Sequence, residues 1–168
     1  MIVALLAVIA SAPVQAADHP WLPGDDAGSA SVGTAQGGYL VGGVRIPEGE
    51  GSLRQLPTQS MRGLEWGTAD LVAALVRAAE AVAKEFPGSV TWLGNLSRRE
   101  GGDIPWSSSH NSGRDADVAF HLLDTEGEPA QRKDLVKLDE HGWAFDSVGA
   151  LRFDAARNWV FVRALLED

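Results

Sequence analysis

The stretch GTADLVAALVRAAEAVAKEFPGSVTWLG, residues 67–94, joins a helical pattern directly to a strand pattern. Thr68 is placed to cap a helix over residues 69–86, and Pro87-Gly88 is placed to end it. Residues 89–94 have the β-branched and aromatic composition of a short strand. We therefore predict a helix, packed on a core through one apolar face, and then a strand. The apolar face repeats at three- and four-residue steps: Leu71, Leu75, Val76, Ala79, Val82 and Ala83.

Downstream, a glycine- and serine-rich loop over residues 95–109 leads into Ser-His-Asn-Ser-Gly-Arg-Asp-Ala-Asp, residues 109–117. Within this motif, Gly113 permits the positive φ that a tight turn requires. A strand is predicted over residues 117–123, and a helix over residues 154–166 with Asp154 as its cap.

The remaining segments carry weaker signals. Residues 39–46 predict a short strand pair or a hairpin with a glycine corner, followed by a loop over residues 47–51. Residues 137–142 predict a hairpin or loop, and residues 143–148 a linking segment. These mixed signals allow an α+β domain.

Composition limits the function classes. The chain has 168 residues, enough for one domain, and 45% of them are hydrophobic. It contains no cysteine, which excludes thiolate catalysis and cysteine-ligated zinc. A formal net charge of −9 and the lack of a basic stripe argue against nucleic acid as a partner.

The first 16 residues resemble an export signal. An uncharged run, residues 1–12, is followed by Val14-Gln15-Ala16, a small-x-small pattern that fits cleavage after Ala16. The run is too short for a membrane anchor, which needs about 20 residues. Residues 17–38 are rich in small residues and predict a flexible leader, so the folded domain is expected over residues 39–168. We expect a periplasmic or secreted protein.

His110 and Asp117 are the candidate metal ligands. An imidazole nitrogen and a carboxylate oxygen are ligand types that hydrolytic zinc sites combine with a further ligand and a bound water. The spacing leaves a second interpretation open, in which His110 caps a turn and Asp115 or Asp117 accepts hydrogen bonds from backbone amides.

None of the other three histidines is a convincing third zinc ligand. His121 is four strand residues from Asp117, about 13 Å, too far to share one ion. His141 is predicted in a turn, and His19 falls in the leader.

Serine catalysis is not favoured, because Ser107, Ser108 and Ser109 lack the Gly-x-Ser-x-Gly signature. Glycosidase chemistry by two carboxylates stays open, although 23 acidic residues always offer a chance pair.

The motif at 109–117, continued by Val118, resembles the zinc motif of the penicillin-insensitive murein endopeptidases, relatives of lysostaphin-type enzymes and D-Ala-D-Ala carboxypeptidases. Further stretches resemble that family: Gly-Gly-Val-Arg-Ile-Pro at 42–47, Phe-Pro-Gly-Ser at 86–89, Gly-Asn-Leu-Ser at 94–97 and Phe-Asp-Ala-Ala-Arg-Asn-Trp at 153–159. The resemblance implies an α+β fold of the hedgehog and D-Ala-D-Ala peptidase type, with a mostly antiparallel sheet and flanking helices.

It also implies zinc-dependent hydrolysis of peptide cross-links, at D-alanyl bonds, in peptidoglycan. Zn²⁺ would be bound by His110 and Asp117. Arg114 and Asp115 would orient these ligands, or else hold the turn, and Ser109 and Asn111 would line the substrate groove. Muropeptides are the expected partner.

Two departures from the family pattern stand out. The family carries a His-x-His pair near its C-terminus, which supplies the third ligand and a catalytic histidine, and these are expected beyond Asp168. We therefore expect a C-terminally truncated domain, in which zinc binding and activity are weak. Trp106-Ser107 also stand where relatives tend to carry a further histidine. The alternatives are a metal-deficient peptidoglycan-binding relative and a D-alanyl-D-alanine carboxypeptidase.

Overall fold

The computed structural model describes residues 28–49, 51–130, 133–146 and 149–167. The predicted signal peptide, His19 and residues 17–27 of the predicted leader lie outside these ranges. Two α-helices occur in the described part, α1 (Ala69–Glu85) and α2 (Ala155–Leu166), with a 3-10 turn at Ser60–Arg62. The strands there are β1 (Ala30–Thr34), β2 (Gly37–Val41), β3 (Val44–Arg45), β4 (Leu53–Gln55), β5 (Trp66–Gly67), β6 (Thr91–Leu93), β7 (Leu122–Leu123), β8 (Pro129–Ala130), β9 (Trp143–Asp146) and β10 (Gly149–Phe153).

Helix α1 forms as its sequence predicts. Thr68 has extended backbone, and its Oγ1 accepts a hydrogen bond from the Leu71 amide at 3.3 Å, so it is the N-cap. The helix ends at Glu85, just before Pro87-Gly88. The side chains buried along it lie on one face: Leu71, Val72, Ala74, Leu75, Ala78, Ala79 and Val82. The predicted helix and its cap are confirmed, and so are four residues of the predicted stripe, whereas Val76 and Ala83 are only partly buried because the buried face is centred closer to Ala78.

The strands form small, mostly antiparallel sheets. Strands β1 and β2 make a hairpin, β3 pairs with β5, and the largest sheet has the order β8-β7-β10-β9. The parallel pair β4–β6 aligns Leu53 with Thr91. This arrangement, with helices beside mostly antiparallel sheets, confirms the α+β class.

Two apolar clusters hold these elements together. In the first, α1 packs against α2, which contributes Val160 and Phe161, and the same cluster includes Leu93 of β6. Asp154 caps α2 as predicted, since its Oδ1 accepts from the Arg157 amide at 3.1 Å. The second cluster is built on Leu122, Ala144 and Leu151 of the four-stranded sheet. No helix in the described part of the chain is long and apolar enough to cross a membrane.

Two sequence-based expectations fail near the N-terminal side of the domain. Residues 39–46 do not fold back on themselves at the glycine corner, because β2 pairs with β1 while β3 pairs with β5. Residues 30–38 belong to the β1–β2 hairpin and are not the structureless stretch predicted for the leader. The hairpin is fixed by contacts to residues 100–114, which local composition does not report.

Two further expectations fail downstream. Only Leu122–Leu123 of the strand predicted over residues 117–123 pairs regularly with its neighbours in the four-stranded sheet. Residues 117–119 instead run beside β6, where the Ala119 amide donates to the Trp92 carbonyl at 2.8 Å. Residues 143–148, predicted as a linking segment, contain strand β9, which pairs with β10 from Trp143 to Asp146.

Candidate metal centre

The segment 110–117, called the motif loop below, is fastened from three sides. On the first side, the Asn111 amide donates to the Ala35 carbonyl of the β1–β2 turn at 3.0 Å. On the second, the amide of the α1 cap Thr68 donates to the Gly113 carbonyl at 2.8 Å. On the third, the loop leaves along the end of β6. Gly113 has φ 70°, so the predicted positive-φ turn is confirmed.

His110 lies at the centre of this loop in a strained conformation. Its φ is 72°, and it is the one non-glycine residue with positive φ in the described part of the chain. A left-handed backbone at a residue with Cβ costs roughly 1–2 kcal/mol and persists only where surrounding contacts enforce it. The residue is 3% exposed. His110 is therefore held in one place by the fold.

Both ring nitrogens of His110 face carboxylates. Nδ1 lies 2.7 Å from Asp115 Oδ2, and Nε2 lies 3.4 Å from Asp117 Oδ1. Asp115 Oδ2 also accepts from the His110 backbone amide at 3.2 Å. The short contact to Asp115 is a charge-assisted hydrogen bond, which fixes the ring orientation and leaves Nε2 directed at Asp117.

The two carboxylates make this buried site favourable for positive charge. Burial by itself lowers the pKa of His110, but the hydrogen bonds and charges of Asp115 and Asp117 outweigh it and raise the pKa to about 10. Burial likewise raises the pKa of Asp117, yet the bond and charge of His110 and the Asn95 amide lower it overall. The metal-free site consequently holds an imidazolium at neutral pH.

Asp117 is positioned by the chain that follows β6. Its amide donates to the Asn95 carbonyl at 2.9 Å, and its carbonyl accepts from the Gly94 amide at 2.8 Å. Asn95 Nδ2 donates to Asp117 Oδ2 at 3.2 Å, which leaves Oδ1 directed at His110. A Cβ on Gly94 would lie 2.8 Å from that of Asp117, so only glycine permits this close approach. Asn95 was not among the predicted site residues, although its stretch, 94–97, carried the family resemblance.

The His110–Asp117 pair fits two positions of a zinc site. Ligand distances of about 2.0–2.2 Å in tetrahedral geometry separate neighbouring donor atoms by about 3.4 Å, and Nε2 and Oδ1 are 3.4 Å apart. Zinc-bound histidines almost always donate their other ring N–H to an oxygen acceptor, as Nδ1 can to Asp115. Within the described ranges, however, no group of three or more His, Cys, Asp or Glu side chains is arranged to hold a metal ion.

The other predicted site residues mostly hold the loop. Asn111 is 3% exposed, and its Nδ2 donates to the Gln36 carbonyl at 2.8 Å. Arg114 Nη2 donates to the Gly33 carbonyl. Ser109 is half-buried, and its amide and carbonyl both bond to the Ser107 hydroxyl at 3.3 Å. Asn111 is thus inside the loop rather than on a solvent-facing wall.

Two other histidines, His121 and His141, lie outside this pair and contact other protein groups. His121 is partly buried, and its Nε2 lies 3.1 Å from Thr91 Oγ1; burial lowers its pKa to about 4. His141 lies in the predicted turn, where its amide donates to Asp139 Oδ1 at 2.9 Å and its side chain is 75% exposed.

Comparison with known protein families gives a match that covers the motif loop. A family model described as penicillin-insensitive murein endopeptidase matches residues 31–158, which include the hairpin, α1 and the whole motif loop. Comparison with curated proteins gives no match. The chain therefore belongs to the penicillin-insensitive murein endopeptidases, a family of peptidases whose substrate is the peptidoglycan of the cell wall.

Proposed function

We propose that this protein is a zinc-dependent endopeptidase that hydrolyses peptide cross-links at D-alanyl bonds in peptidoglycan. The observation that carries the proposal is the preformed pair of His110 Nε2 and Asp117 Oδ1, 3.4 Å apart, in a chain of the murein endopeptidase family. A catalytic zinc site typically has three protein ligands. The third would come from outside the described residues.

The chain's own residues prepare the two donor atoms. Asp115 accepts the Nδ1 proton of His110, so a proton lost from the ring leaves from Nε2 and exposes the lone pair that faces Asp117. Asn95 binds Oδ2 of Asp117 and leaves Oδ1 directed at His110. Zinc, when bound, supplies an activated water at neutral pH and polarises the scissile carbonyl.

The proposed reaction takes place outside the cytoplasmic membrane, where peptidoglycan lies. Residues 1–16, the predicted export signal, are consistent with that location. The net charge of −9 does not favour attraction to the anionic wall, so recognition must come from local groups near the motif loop.

The proposal is tested with cross-linked muropeptides and purified protein. We expect zinc-supplemented protein that also carries the third ligand to release uncross-linked peptides, a chelator to stop the reaction, and added zinc to restore it. H110A should abolish cleavage because one ligand is lost. H141A is the matched control: it removes an imidazole that is 75% exposed and outside the site, and it should retain activity.

Other outcomes would identify a different function. Cleavage that survives both the chelator and H110A would refute a zinc mechanism. Binding of peptidoglycan without hydrolysis would identify a non-catalytic relative. Free D-alanine as the product would identify a carboxypeptidase.

A further inference from the structure

The residue after His110 is hydrogen-bonded to a part of the fold that is remote in sequence. Asn111, the residue after His110, is held by both of its backbone groups: its amide donates to the Ala35 carbonyl at 3.0 Å, and its carbonyl accepts from the Gly102 amide at 2.9 Å. Ala35 belongs to the β1–β2 turn. The turn therefore constrains the backbone directly after the left-handed residue.

The Asn111 side chain makes a second bond to the same turn. Its Nδ2 donates to the Gln36 carbonyl at 2.8 Å, and the side chain is buried with the rest of the residue. The backbone amide and the side chain of Asn111 thus donate hydrogen bonds to two consecutive carbonyls of the turn. A third carbonyl of the hairpin, that of Gly33, accepts from Arg114 on the other side of the motif loop.

The hairpin is in turn fixed to the body of the domain. The Leu40 amide donates to the Glu100 carbonyl at 3.0 Å, and Leu40 is 3% exposed. A Cβ at Gly113 would lie 2.7 Å from Leu40 Cδ2, so this side chain packs directly against the motif loop. The turn is consequently a rigid support that can hold a strained residue.

We infer that the β1–β2 turn, acting through Asn111, is the clamp that keeps His110 in its left-handed conformation and thereby aims its imidazole at Asp117. Asn111 is in this view a positioning residue, with no contact to substrate or metal required. The part of the inference that concerns zinc rests on the proposed function, whereas the part that concerns the backbone of His110 does not.

The first test compares buried Asn111 with partly buried Asn158. N111A removes the side-chain grip on the turn. The control N158A removes an amide with more hydrogen bonds, whose Nδ2 donates to the His121 and Asp154 carbonyls at 2.8 and 2.7 Å, far along the chain from the motif loop. In chelator, NMR coupling constants and Cα shifts of His110 should move away from left-handed values in N111A and remain unchanged in N158A.

The second test changes the hairpin itself and compares two glycines that have nearly the same positive φ. Gly33 has φ 87° and Gly88 has φ 86°. A Cβ at Gly33 would lie 2.6 Å from the Gly37 carbonyl oxygen and distort the hairpin, whereas a Cβ at Gly88 meets nothing within 4 Å. G33A should therefore reproduce the shift of the His110 signals, and G88A should not.

Zinc affinity gives an independent readout. Loss of a residue that orients a metal ligand weakens binding by about 10- to 100-fold, so N111A should raise the zinc dissociation constant by about tenfold or more relative to N158A. His110 signals that stay left-handed in both N111A and G33A would overturn the clamp. A wild-type protein that binds no zinc would refute the proposed metal site, but the His110 signals would still decide whether the clamp exists.

Discussion

Acidification should destabilise the protein through His121, a histidine that does not belong to the metal centre. The ring is partly buried beside the Thr91 hydroxyl, and the residue's amide and carbonyl are bonded to the Asn158 side chain of α2. Burial lowers the pKa of His121, nearby Asp154 partly offsets this and Arg157 reinforces it, with a result of about 4 instead of 6.5. The folded protein thus opposes protonation of this ring.

The sign and size of the effect follow from linkage. Between pH 4 and 6.5 the unfolded chain binds a proton at His121 that the folded protein does not, so stability is complete above pH 6.5 and falls as the pH falls toward 4. At pH 5, one and a half units below the unfolded pKa, the loss is about 2 kcal/mol. For a chain of this length that corresponds to a decrease in Tm of roughly 4–8 °C.

The assay is denaturant unfolding of wild type and H121Q at pH 7 and pH 5. Glutamine cannot be protonated, so wild type should lose about 2 kcal/mol more than H121Q over this interval. H141Q is the matched histidine-to-glutamine control, because it replaces an imidazole that is 75% exposed and lies in a different turn of the chain. Equal losses in wild type and H121Q would refute the reasoning. The result also matters for activity, because acid inactivation would otherwise be assigned to the metal centre.

Three further predictions concern the motif loop and its supports. Because the pKa of His110 is about 10 without metal, zinc binding at pH 8 should release about one proton. Calorimetry in buffers of different protonation enthalpy measures this release, and its absence would contradict a protonated His110 ring. G101A should lower stability by about 1–3 kcal/mol more than G102A, because a Cβ at Gly101 would lie 2.5 Å from the Leu40 amide nitrogen and one at Gly102 meets nothing within 4 Å; equal values in urea unfolding would argue against this close packing. T68A should lose about 1 kcal/mol through the missing cap of α1 while T68S keeps most of it, as thermal unfolding can check; a T68A protein as stable as wild type would show that the cap bond is dispensable.

The helices could be predicted because their signals are local. Thr68 and Asp154 both cap helices where the sequence places them, and most of the predicted apolar stripe of α1 is buried. Gly113 adopts the positive φ expected from its place in the motif. In each of these cases a residue and its near neighbours carry enough information to fix the backbone.

The β1–β2 hairpin could not be predicted, because its support comes from far along the chain. Gly33 is bonded to Arg114, and Gln36 to Asn111, across separations of 81 and 75 residues. Composition alone shows a glycine- and serine-rich stretch, which is typical of a flexible leader. The same reason explains the missed φ of His110, since only tertiary contacts enforce a left-handed backbone there.

The two partly or fully buried histidines show how the fold decides what each imidazole does. Burial lowers the pKa of both. At His121 the ring faces a hydroxyl and stays neutral, whereas at His110 two carboxylates reverse the effect and hold a positive charge. In the proposed site, a metal ion bound in place of the Nε2 proton would face the same oxygen of Asp117. Under the proposed function, Asp115, Asn95 and the β1–β2 turn would therefore favour metal binding by fixing the two donor atoms in advance.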